Sequence, residues 1–168
     1  GQGQNNSQVH VFLFSKDSNI PLWSYDTGSN IIRDVAISLN GETIAVTTES
    51  GDSGDDLYVF DVSSSTPLWS KSTSDPVEGL EISADGSLVF FNGKNPNNHA
   101  QTVLTVHSRS SSVPLWLAPT GSTNSDCCAS SHERDTMGIS LDGKWITVAR
   151  RDSVFLYDVS SRFPVWTY

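Results

Sequence analysis

Cys127 and Cys128, with His132 close by, come nearest to reactive chemistry in this chain. Adjacent cysteines cannot staple distant parts of one fold through a bridge between themselves. Their uses narrow to a rigid vicinal disulfide, a link to another molecule, or metal ligation. A zinc site on Cys127, Cys128 and His132 lacks both a fourth ligand and the spaced cysteine pair such sites use, which leaves the disulfide or the intermolecular link. A second candidate is the acidic run Glu49 to Asp56, which gathers Asp52, Asp55 and Asp56. Carboxylates and loop carbonyls hold Ca²⁺, but the spacing misses that of an EF-hand loop, and a solvated hairpin loop is the simpler reading. His10, His99, His107 and His132 are scattered along the chain, and no nucleophile, base and acid can be ordered from them. The residues thus predict no catalytic group, no cofactor and no resident metal.

The elements that would position such groups belong to a folded domain. The chain has 168 residues, 36% of them hydrophobic and 10% aromatic, enough to bury a core. Lys and Arg number 10 against 19 Asp and Glu, a net charge of −9, which repels a phosphate backbone and disfavours anionic lipid surfaces. Nucleic acid is therefore an unsuitable partner. No apolar run reaches the ~20 residues that span a bilayer, so membrane insertion by a helix is not expected. The opening residues, Gly1 to Ser7, show neither the basic start nor the apolar stretch of a signal peptide. Few charges amid abundant Ser, Thr, Asn and Gly suit an extracellular or surface protein. Asn5-Asn6-Ser7 is an N-glycosylation sequon at Asn5, and the Ser-rich turns are candidate O-glycan sites.

The organising feature is a tripeptide that recurs four times: Pro21-Leu22-Trp23, Pro67-Leu68-Trp69, Pro114-Leu115-Trp116 and Pro164-Val165-Trp166. The tryptophans are spaced 46, 47 and 50 residues apart, the period of propeller blades. Aromatic faces also bind sugars, but so regular a spacing fits structural wedges between blades better. Within one unit, Ile32 to Ser38 and Thr43 to Thr47 flank Asn40-Gly41, a strong hairpin signal. Leu57 to Val62, a Ser-rich turn and a Pro-led edge strand follow. Each unit thus holds four strands, A to D. The expected fold is all-β: four-stranded antiparallel blades at 31–72, 77–118 and 135–168, preceded by a half blade of strands C and D at 9–26. Three and a half blades do not close a ring of about 4–8, so either a longer chain or another molecule is expected to complete it.

Antiparallel order puts the D–A and B–C loops on one face of the disc. There the acidic loop, the polar loop Asn92 to Gln101 and the cysteine-bearing loop meet. The last of these is about ten residues longer than its counterparts, and a loop that lengthens within a regular repeat is a candidate for function.

The segments Ala36-Ile37-Ser38-Leu39-Asn40-Gly41-Glu42 and Leu57 to Asp61 through Pro67-Leu68-Trp69 resemble two related propeller families. The first is similar to the inner hairpin of WD40-like repeats. The second is similar to the outer strands of PQQ-like (quinoprotein-type) repeats, in which an Asp ends strand C and a Trp on strand D packs between blades. Asp61 and Asp158 match that Asp, whereas Ser15 and Ser108 stand there in the other units. The Gly-His and Trp-Asp dipeptides of typical WD40 repeats are missing, so that family's intracellular docking roles are not carried over. The resemblance implies a non-catalytic scaffold or interaction module with protein partners: copies of itself, or the rest of a longer chain. An extracellular filament or surface assembly fits this. Two alternatives follow from the same resemblance. One is a ligand- or protein-docking propeller. The other is a fragment of a PQQ-dependent oxidoreductase, some of which pack a vicinal disulfide against the quinone where Cys127-Cys128 would stand.

Overall fold

A computed structural model of the chain describes residues 9–28, 31–49, 55–73, 77–95, 97–122, 136–150 and 153–168. Their strands pair only with sequence neighbours and form four sheets. β1 (His10–Phe14) and β2 (Pro21–Asp26) make a two-stranded unit. β3 (Ile31–Ile37), β4 (Thr43–Glu49), β5 (Asp55–Asp61) and β6 (Trp69–Ser72) make the first four-stranded sheet. The second holds β7 (Val77–Ile82), β8 (Leu88–Asn95), β9 (Asn98–Ser108) and β10 (Pro114–Ser122). The third holds β11 (Thr136–Ile139), β12 (Trp145–Arg150), β13 (Ser153–Asp158) and β14 (Pro164–Thr167). This is a propeller arc, all-β throughout the described residues.

Local chemistry sets the corners. In each inner hairpin a serine hydroxyl (Ser38, Ser83, Ser140) accepts the N–H five residues on, at 3.0, 3.0 and 2.9 Å. That hydroxyl also donates to Asn40, Asp85 or Asp142 at 2.6 Å. The side chain of Asn40, Asp85 or Asp142 in turn accepts the N–H two residues further. Side-chain turns of this kind replace backbone bonds that the reversal removes. The glycine that follows takes the left-handed conformation, with φ of 72°, 73° and 69° at Gly41, Gly86 and Gly143. Each C–D corner holds two such turns in succession. Ser15, Asp61, Ser108 and Asp158 accept the N–H two residues on. Ser18, Ser64, Ser111 and Ser161 then do the same. The Ser-rich linkers are therefore hydrogen-bonded corners.

Some strand ends differ from expectation. The segment Asn92 to Gln101, expected as a loop, is largely strand: β8 and β9 continue as a hairpin to the pair Asn95 and Asn98. Its buried polar side chain, Asn92, accepts a hydrogen bond from Thr120 of β10, which offsets the cost of burying it, while Asn97 and Asn98 at the tip are exposed. β10 runs to Ser122, past the 118 expected, and β6 begins at Trp69, two residues after Pro67.

The core lies between sheets. Alternation along each strand sends successive side chains to opposite neighbours. Ala45, Leu57, Val59 and Trp69 pack toward the next sheet, against Val77, Leu80, Ile82 and Val89. Ile44, Val46 and Phe60 pack back against Val11, Leu13, Trp23 and Tyr25. Phe90, Leu104 and Val106 meet Ile146, Val148 and Tyr157 in the same way.

Candidate interaction surfaces

Each junction between sheets is closed by one repeated device. The Trp of strand D crosses to the next sheet and donates its indole N–H to the backbone carbonyl just after that sheet's strand C. Trp23 reaches Val62 at 2.8 Å, Trp69 reaches Arg109 at 2.8 Å and Trp116 reaches Val159 at 3.0 Å. Each indole lies over the ring one residue before the corner Asp or Ser, with centroids 5.5 Å apart for Trp23 and Phe60, 5.2 Å for Trp69 and His107, and 6.2 Å for Trp116 and Tyr157. A buried indole needs its one donor satisfied, and the double turn of the C–D corner presents the carbonyl that does so.

The junctions differ in their polar additions. Arg109, which supplies the carbonyl to Trp69, turns its guanidinium back to the Asp61 carboxylate of the preceding sheet. It also lies 3.4 Å from the Glu42 carbonyl. Hydrogen bonds from Ser63 hold the Asp61 carboxyl below the usual range, with Arg109 adding to the effect. Asp158, with bonds from Ser160, is lowered for the same first reason. His107 is fully buried, tilted against Trp69 and stacked on Phe91 at 5.6 Å. Its Nδ1 lies 3.2 Å from the Ser111 carbonyl, and its Nε2 has no partner among the described residues. Burial, with Lys71 nearby, pushes the imidazole from 6.5 down to about 4, so it stays neutral at ordinary pH. At the loop-rich end, Arg150 reaches from β12 to Thr102, which pairs with Thr120 at 3.1 Å, and Thr120 donates to Asn92 at 3.2 Å. Gly121, at φ 151°, passes so close that a Cβ there would lie 2.9 Å from the guanidinium.

Two faces of the arc are left uncovered by the described residues. On β14, Trp166 stands where Trp69 stands in its sheet, but is 47% exposed against 9% for Trp69. Trp145, on β12 of the same sheet, and Tyr168 are exposed as well. At the other end, Phe14 occupies the place of Phe60 and is 49% exposed against 0%. Phe12 lies alongside with its centroid 6.2 Å away. Val35 and Ile37, on the innermost strand of the first full sheet, are also exposed. They share a face with Ile44 and Val46, and the two-stranded unit covers only the outer part of that face.

The other expected site residues fare as follows. Asn5, Asp52, Cys127, Cys128 and His132 lie outside the described residues. Asp55 and Asp56 are in β5, paired with Glu49 and Thr48, and not in a loop. The Asp56 carboxylate accepts bonds from Ser72 at 2.5 Å and Tyr58 at 3.4 Å. Among the described residues no cluster of three His, Cys, Asp or Glu side chains could hold a metal. Arg109 and Trp145 are not among the candidates drawn from the sequence, where His107 is only one of four scattered histidines. A signal existed for each: His107 and Arg109 flank the residue that ends strand C, and Trp145 is the one tryptophan outside the tripeptides.

No family model matches the sequence, and no curated protein is detectably similar. Solved structures do resemble the fold. The β-propeller domain of Myceliophteria thermophila Cps50 (Swd1) superposes with a TM-score of 0.68 over 95% of this chain, at 12% identity. A chain of a mitotic checkpoint complex gives 0.65 over 95%, at 14% identity. This chain covers 48% and 44% of those two, about half their length. Together with the sheet order, these likenesses show a β-propeller fold.

Proposed function

We propose that this chain is a non-catalytic propeller scaffold that works by binding protein, copies of itself above all, in an extracellular or surface assembly. One observation carries the reading: the device that joins every pair of neighbouring sheets recurs at both ends of the arc without a counterpart among the described residues. Trp166 is a wedge with no ring beneath it, and Phe14 is a ring with no wedge above it. Large uncovered aromatics of this kind mark interaction surfaces. The fold likeness to propellers supports a binding module, and the low charge, Ser-rich corners and sequon at Asn5 support placement outside the cell.

The test is the mass of the native particle, intact and after reduction. The scaffold reading expects many copies of one polypeptide. A single polypeptide that carries a complete ring and does not associate would refute self-assembly. Reduction shows whether Cys127 and Cys128 link chains.

A further inference from the structure

The four C–D corners carry a charge code that the three internal junctions decode. Each junction has two corresponding positions: the residue ending strand C in the first sheet, and the residue supplying the latch carbonyl in the next. The internal pairs are Ser15 with Val62, Asp61 with Arg109, and Ser108 with Val159. An acid stands in the first position only where a base stands in the second, and that pair is in contact. Two positions lie outside the internal pairs, Asp158 at the last corner and Lys16 at the first. They too are an acid and a base, in the right order.

Resting on the assembly reading above, we infer that two copies of this chain join head to tail through this same latch. Trp166 of one copy lies over Phe14 of the next and donates its indole N–H to the Lys16 carbonyl, while Asp158 pairs with the Lys16 ammonium. The surfaces suit this. Trp166 and Tyr168 are exposed at one end, and Phe12 and Phe14 at the other. The Lys16 corner is preset, since the Ser15 hydroxyl accepts the Asp17 N–H at 3.3 Å. Lys16 now lies 2.7 Å from Asp17 with both side chains largely in solvent, and so loose a pair yields readily to a better one. Asp158 is held by Ser160, as Asp61 is by Ser63. Asp61 shows that a carboxylate so held still takes a cation from the neighbouring sheet.

The test is the association of the 168-residue chain, followed by light scattering and sedimentation from about 1 to 100 µM. Wild type is expected to associate in a concentration-dependent way. Trp166→Ala should weaken association at least about 30-fold, as loss of a central aromatic anchor does, with an unchanged circular dichroism spectrum and a melting midpoint equal to that of wild type at concentrations where wild type is monomeric. Lys16→Glu, which sets two acids against each other, should weaken it about tenfold. Adding Asp158→Ser should then recover most of that loss, because serine keeps the corner, as at Ser15 and Ser108, and removes the repulsion. Association that ignores Trp166→Ala and shows no coupling between residues 16 and 158 overturns this junction and leaves assembly by another surface. A chain that stays monomeric throughout overturns both the junction and the self-assembly reading.

Discussion

Acidification should open the junction between the first two four-stranded sheets, because His107 is its weakest member at low pH. The imidazole is buried and neutral, and its pKa falls from 6.5 to about 4 on folding. The folded state therefore binds fewer protons than the unfolded state between those values, and stability falls as pH falls through that window. Above about pH 6.5 the contribution is fully present, and below about 4 it is gone. At ~1.4 kcal/mol per pH unit the loss reaches about 2 kcal/mol by pH 5, a large share of the stability of a domain this size. Other groups act elsewhere or oppose. Asp61, Asp85, Asp142 and Asp158 are lowered below 3.8 by their corner hydrogen bonds, so their losses come at lower pH. Glu81, raised by burial and by Asp34, favours the folded state as pH drops. The His107 contribution is isolated by comparison with His107→Phe, since Phe60 already fills the equivalent place one sheet earlier. Urea unfolding at pH 5.0 and 7.5 is the assay. The variant should lie within about 1 kcal/mol of wild type at pH 7.5, the worth of the lost bond to Ser111, and should lack about 2 kcal/mol of the acid-induced loss. Equal pH slopes in the two proteins would refute the reasoning.

The latch should be costly to remove inside the arc and free at its end: Trp69→Ala is expected to cost about 3–5 kcal/mol and Trp166→Ala less than about 0.5 kcal/mol in chemical unfolding of the monomer. Gly86→Ala should destabilise by about 2 kcal/mol, because the residue sits at φ 73° and a Cβ would lie 2.6 Å from Thr43 Oγ1 of the preceding sheet; a neutral result in the same assay would show that the A–B turns move apart easily. Stability should also decline in alkali. Tyr58 and Tyr157 are both raised from 10.0 to about 12, chiefly by burial, so their contributions are present below pH 10 and lost as pH climbs toward 12. Melting curves at pH 9 and 11 should differ, and Tyr157→Phe should reduce the difference.

What could be read from the sequence alone was what local rules decide. The Asn-Gly and Asp-Gly turns and the Ser-rich corners rest on interactions between residues two to five apart, so their signature, like strand alternation, is written in nearby letters and repeats with the blade. The period of the Pro-Leu/Val-Trp tripeptides carried the fold, and the mismatch of half a blade with a closed ring pointed to uncovered faces. Tertiary structure decided everything that depends on two sheets lying side by side. That Trp69 ends on the carbonyl of Arg109, forty residues on, follows from the placement of a neighbouring corner and from no local pattern. The same is true of His107 held neutral between two rings, of Arg109 returned to Asp61, and of Arg150 buried among threonines. Asn92 to Gln101 misled for this reason: its composition is that of a loop, and it is the pairing of β8 with β9, with the buried Asn92 matched by Thr120 of β10, that makes it a hairpin. Local turn chemistry sets each blade, whereas the contacts between blades that join one to the next exist only after the blades have been brought together.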